Sequence, residues 1–188
     1  EVTRAYEAAG AAALSVLTDE TYFGGTLADL RKATQTVHIP VMRKEFIVDA
    51  YQLFEAKLAG AGAVLLIAAA ITKHECRQLT ELAHQLQLEV LLELHDEQET
   101  EYITPIHQLI GVNNRNLGSF VTDLQKSFRM AELLPPDAIW VSESGISDPT
   151  ILKELRHAGY QGFLIGENFM KTGDPGESLR HFLGGIEN

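Results

Sequence analysis

Five short stretches of this 188-residue sequence carry groups able to move a proton or grip an anion. In "PVMRKEFI", Lys44 follows an apolar run and is flanked by Arg43 and Glu45. A lysine at the end of such a run, turned into a partly dry pocket, can act as a general acid or hold an anionic substrate. The plainer alternative is a solvated strand-end charge. In "LLELH", Glu93 places a carboxylate inside an otherwise apolar strand, where an unpaired charge is costly. It therefore needs a cationic partner or a raised pKa, both frequent at active sites, with a structural ion pair as the rival reading. "GVNNRNL" packs Asn113, Asn114, Arg115 and Asn116 behind a further apolar run; amides orient hydroxyls and a guanidinium grips phosphate, while a polar turn is the alternative. "SESGIS" and "LIGE" add Glu143, Ser144, Gly145, Gly166 and Glu167, and the glycines can bare backbone N–H groups to a phosphate.

These groups need a scaffold that brings them to one place. Short apolar runs rich in β-branched residues recur at 12–18, 39–42, 63–68, 89–94, 109–113, 138–144 and 162–166. Between them lie segments with helical spacing, such as "DAYQLFEAKLAGAG" and "DPTILKELRHAG", which stop at Gly60 and Gly159. Asp148 and Pro149 form an N-cap and first-turn pair. Near-continuous apolar strands alternating with helices predict a parallel α/β sheet with right-handed crossovers. No dinucleotide or P-loop fingerprint is present. Polar residues gather instead at the C-terminal ends of the strands, from Thr18 and Asp19 to Glu167, and in a (β/α)8 barrel those ends converge on the catalytic face. The chain has no low-complexity linker and is expected to form a single domain over 1–188.

Composition narrows the partners. A net charge of −11 argues against nucleic acid and anionic lipid, though not against a small anion in a locally basic pocket. The most apolar stretch, starting at Leu58, is about fourteen residues and too short to span a membrane, and no basic-then-apolar leader opens the chain. The single Cys76 fits a reducing compartment, so a cytoplasmic location is expected. The histidines show no metal-ligand spacing: His74 and His84 are too far apart, and His95 reads as a strand-end polar residue.

The motifs "LSVLTDETYFGGTLADL", "PVMRKEFIVDAYQ", "EAKLAGAGAVLLI", "GVNNRNL", "VSESGI" and "LIGENFM" together resemble the indole-3-glycerol phosphate synthase family of tryptophan biosynthesis, in order along essentially the whole chain. The resemblance implies a (β/α)8 TIM barrel that closes an indole ring on 1-(2-carboxyphenylamino)-1-deoxyribulose 5-phosphate, losing carbon dioxide and water without a metal or other cofactor. It implies that Lys44 is the general acid for the substrate carbonyl, with Glu45 standing where the family usually has Asp. Glu93 matches the catalytic glutamate, and Asn113 and Glu143 match residues that orient the substrate. Arg115, Ser144, Gly145 and Gly166, with Glu167 beside them, match the phosphate and polyol contacts.

On the family's pattern, "RAYEAAGAAALSVLT" corresponds to the first barrel helix and second strand. The expectation is therefore a TIM-type barrel reduced to about seven βα units, its second to eighth strands. The first-strand motif, with its second lysine and a glutamate, falls outside the sequence, so impaired turnover is expected. A sheet with two unpaired edges, near "AALSVLT" and "GFLIG", is expected to associate as a homo-oligomer. The alternative is an inactive barrel that binds a phosphorylated ligand or itself.

Overall fold

The computed structural model describes residues 1–187. Helix α1 (Val2–Ala8) leads into strand β1 (Leu14–Leu17), followed by α2 (Leu27–Thr34), β2 (Val41–Lys44), α3 (Ala50–Leu58) and β3 (Ala63–Ile67). Then come α4 (Lys73–Gln85), β4 (Glu89–Leu94), a 3-10 turn at Glu97–Tyr102, β5 (Leu109–Asn113) and α5 (Gln125–Ala131). The chain continues through β6 (Ile139–Glu143), α6 (Thr150–His157), β7 (Gly162–Leu164), α7 (Glu167–Met170) and α8 (Pro175–Glu187). The seven strands form one parallel sheet in chain order, β1 to β7, as the alternating rhythm predicts.

Local chemistry sets the helix ends. Thr26 with Asp29, Asp49 with Gln52, and Thr72 with Glu75 form reciprocal capping boxes at the starts of α2, α3 and α4. Asp148 accepts the Thr150 N–H at 2.9 Å and starts α6. Helix α6 stops where Gly159 takes φ +113, with Tyr160 N–H reaching back to the Leu155 carbonyl.

Strand alternation builds two apolar layers. Val64, Leu66, Leu92, Ile110 and Val112 face outward into the larger core beneath the helices, with Leu53, Leu79 and Leu155. Met42, Leu65, Ile67 and Leu91 face inward and form a smaller cluster, with Phe46, Val141 and Leu164 against it. Fully burying a Leu or Ile contributes roughly 1.5–3 kcal/mol, so the outer layer supplies most of the fold's apolar stabilisation.

The sheet is strongly curled. In a flat sheet, β2 and β6 would stand four spacings, roughly 19 Å, apart. Yet side chains on these two strands meet, Lys44 Nζ lying 3.8 Å from Glu143 Oε2. At the seam, α1 packs against α8, Tyr6 meets the edge of Phe169, and Phe169 meets Phe182. The helical layer thus bridges the two sheet ends, while β1 and β7 have no strand partner on their outer edges among the described residues.

Candidate active site

The charges after "PVM" lie on the strand itself. Strand β2 runs through Lys44, two residues beyond the apolar run, with Leu17 paired to Lys44. Alternation then divides the trio. Arg43 turns outward, where its Nε donates to Thr18 Oγ1 (3.0 Å) and its Nη1 to the Gln52 carbonyl (2.7 Å) and to Glu55 (3.2 Å). Glu45 is buried beside it, accepting from Thr18 Oγ1 at 2.8 Å and from the Phe46 N–H at 2.9 Å. Both are structural and lock β2 to β1 and α3. Lys44 alone turns inward.

Inside the curl, Lys44 Nζ stands 3.3 Å from Glu93 Oε2 on β4 and 3.8 Å from Glu143 Oε2 on β6. Both carboxylates are only 1% exposed, whereas the Lys44 side chain keeps 23% exposure and opens the site to ligand. Beneath them lies the apolar inner cluster, which excludes water and strengthens the charge interactions. The three groups come from alternate strands, the layering of a TIM-type barrel.

One cation cannot neutralise two buried carboxylates, and their proton affinities separate. Burial raises the Glu143 pKa well above the ordinary value, and the charge of Glu93 pushes it further than Lys44 can offset. Neither Glu143 oxygen has a hydrogen-bond partner. Burial also acts upward on Glu93, but the contacts with His95 and Lys44 outweigh it and hold that carboxyl low. Burial pulls Lys44 down, and Glu93 and Glu143 more than restore it, so the ammonium is firmly protonated. The site therefore holds an ammonium, a Glu93 carboxyl kept low and a Glu143 carboxyl kept high, and such split proton affinities suit a site that gives and takes protons.

The remaining residues expected from sequence fall into two groups. Asn113 ends β5 inside the curl, level with Glu143, and its Oδ1 accepts the Arg115 N–H at 3.0 Å. Asn114 instead faces outward and is fully buried, bonded to Ser142 Oγ, the Ser144 carbonyl and Ser127 Oγ; it ties β5 to β6 and α5. Arg115 reaches over the rim and pairs with Glu167, which also meets Lys171 at 3.1 Å. Ser144 and Gly145 take consecutive positive φ values, 68° and 75°, turning the chain sharply under the 115–122 loop. A Cβ on Gly145 would collide with Thr122, so only glycine fits there. Gly166 begins α7 with open space where a Cβ would stand. Arg115, Ser144, Gly145, Gly166 and Glu167 thus gather on one side of the rim, but the Glu167 side chain already occupies the guanidinium.

Sequence reading took His95 as a strand-end polar residue and passed over an aromatic cluster. His95 sits against Glu93, its Nε2 3.0 Å from Oε1. Phe23 stacks on Phe46 with centroids 6.0 Å apart, and Tyr22 meets the Phe46 edge, so aromatic surface lines the mouth beside Lys44. The glycine-rich "YFGGT" held the only local signal for that cluster.

The sequence model of the family described as indole-3-glycerol phosphate synthase matches residues 1–182. A curated indole-3-glycerol phosphate synthase of Bacteroides thetaiotaomicron is 58% identical over 187 residues, covering 100% of this chain and 72% of the relative. Those of Koribacter versatilis and Halalkalibacterium halodurans are 48% and 44% identical, covering 95% and 98% of the chain and 69% and 73% of the relatives.

Proposed function

Since the chain belongs to the indole-3-glycerol phosphate synthase family, whose members are carboxy-lyases of tryptophan biosynthesis, we propose that its buried Lys44–Glu93–Glu143 cluster serves that ring closure. The substrate on this reading is 1-(2-carboxyphenylamino)-1-deoxyribulose 5-phosphate. The observation that carries it is the inward lysine 3.3 Å from one buried carboxylate and 3.8 Å from another, over an apolar floor.

The chemistry follows from the proton inventory. The ring carbon that bears the carboxylate attacks the ribulose carbonyl, and Lys44 donates a proton to the developing alkoxide. Loss of carbon dioxide from that carbon returns an electron pair to the ring. The hydroxyl left by the carbonyl then departs as water after protonation, and Glu93, already ionised, takes the proton whose removal restores aromaticity. The products are indole-3-glycerol phosphate, carbon dioxide and water. Asn113 and Glu143 orient the substrate hydroxyls. The aromatic cluster at the mouth offers a face to the anthranilate ring. Arg115 and the backbone at Ser144, Gly145, Gly166 and Glu167 hold the phosphate, with Glu167 leaving the guanidinium as the phosphate arrives.

The test is steady-state formation of indole-3-glycerol phosphate by its fluorescence, with Lys44→Ala as control. Turnover abolished by Lys44→Ala supports the reading; a folded chain that binds the substrate and never turns it over overturns it in favour of a phosphate-binding module. We place the reaction in the cytoplasm, and no helix among the described residues is long and apolar enough to cross a membrane. We also propose that the unpartnered edges of β1 and β7 favour pairing with a second copy, which light scattering at rising concentration checks.

A further inference from the structure

The Glu93 carboxylate is held from two sides. Its Oε2 faces Lys44 at 3.3 Å, and its Oε1 faces His95 Nε2 at 3.0 Å. His95 follows β4 two residues after Glu93 and so keeps to the same side of the chain. Its side chain is only 9% exposed, and neither ring nitrogen makes a hydrogen bond, the 3.0 Å approach of Nε2 to Glu93 being a close charge contact. The ring is itself fixed from behind. Its Nδ1 lies 3.9 Å from Glu99 Oε2, and that same oxygen accepts the His95 backbone N–H at 2.6 Å.

The charged surroundings of His95 are asymmetric. Toward the interior stand Glu93 and, beyond it, Lys44 and Glu143. On the other side stand Glu99 and Asp96 from the 3-10 turn, with Lys126 of α5 near both. An imidazole between two carboxylates presents an N–H to the more strongly ionised one, here Glu93. An N–H turned onto Oε1 engages that oxygen and leaves Oε2 as the one open to Lys44 and substrate.

We propose that His95 is a positioning residue, donating from Nε2 to Glu93 Oε1 so that Oε2 is the atom that exchanges protons with the substrate. The inference deepens the proposed function and rests on its reading of Glu93 as the base. Lys44 alone cannot do this, because its single ammonium is shared with Glu143. Remove the imidazole and Glu93 loses its second donor, rotates freely about its last torsion, and becomes easier to protonate.

The experiment is a carboxyl titration by 13C NMR of glutamate-labelled full chain, with Glu93→Gln assigning the Glu93 signal, alongside the pH profile of turnover. In His95→Leu the Glu93 midpoint is expected to rise by about one pH unit or more, a tenfold change in its proton affinity. The acid limb of kcat/KM should move up with it, kcat falling in the most acidic part of the profile and not at pH 8, while KM holds. His95→Gln, whose amide can still donate to Oε1, should restore most of both. Where His95→Leu does not fold, His95→Asn, whose shorter amide cannot reach Oε1, makes the same comparison. A Glu93 midpoint that moves by less than about 0.3 unit overturns the inference. A wild-type chain that never turns over would sink the functional reading while leaving the titration to judge His95.

Discussion

Gly111 on β5 leaves the space that the Glu143 carboxylate fills: a Cβ built there would collide with Glu143 Oε1 and lie 3.3 Å from Leu91 Cδ1. The glycine is demanded by its neighbour, since its backbone is ordinary β-strand. Gly111→Ala is therefore expected to fold with Glu143 pushed aside, at a cost of about 1–3 kcal/mol in overpacking. Turnover should fall about tenfold or more, because small misplacements at a reacting centre are expensive. Urea unfolding and kcat together check it; unchanged kcat would mean Glu143 does not orient the substrate.

Lys44→Met strips the cluster of its cation. Loss of a general acid typically costs about 10²–10⁴ in rate, and fluorescence of the product should register at least that fall. Stability should respond to pH as well. In the wild type, Glu93 is held low, so its contribution is present above its unfolded value and lost as pH falls through the folded one. Without Lys44 that carboxyl rises, so the variant should lose most stability above about pH 5 and progressively less as pH falls toward 2, read by denaturant midpoints.

Glu143→Gln tests the opposite sign. The Glu143 pKa is raised in the folded state, so its stability is full below the unfolded value near 4.5 and is lost as pH climbs toward the folded one. The glutamine variant should consequently gain about 2–4 °C in Tm at pH 7, the shift that about 1 kcal/mol produces in a domain of this size. At pH 4 the two proteins should melt together. Activity should fall, since the carboxyl is retained for function at the expense of stability.

Away from the site, His107 accepts the Thr104 N–H at Nδ1 (3.0 Å) and turns Nε2 toward Thr80 (3.1 Å) and Cys76 (3.8 Å). Burial, aided by the charge of His84, pushes its pKa down to about 4. Folding therefore excludes a proton, and stability should decline as pH drops from the ordinary histidine value near 6.5 through about 4, a slope that His107→Gln removes. Burial likewise pushes the Cys76 thiol up to about 11. A thiolate-directed reagent at pH 8 should label Cys76 only after unfolding.

The fold was legible because its signal is local. Seven apolar runs and the helices between them need only periodicity and caps to be seen. Lys44 and Glu93 stood out because each breaks an apolar run. The roles of Arg43 and Glu45 were not legible because their partners, Thr18 and Glu55, lie on other elements, and a pattern of single strands does not show such pairings. The same distance hid Gly111, which is explained by a side chain one strand over, and His95, whose meaning depends on Glu99 turning back toward it. Asn114 and Asn113 look equivalent in sequence, and only the parity of β5 separates a structural knot from a site residue.

Strand order equals chain order, so each new βα unit leaving a ribosome can dock on the edge left by the one before it, and no strand waits for a remote partner. The site is laid down in that same direction. Lys44 on β2 arrives first, Glu93 on β4 follows 49 residues later, and Glu143 on β6 comes last. During synthesis, neither acidic side chain has to enter the apolar interior before the ammonium that receives it is in place.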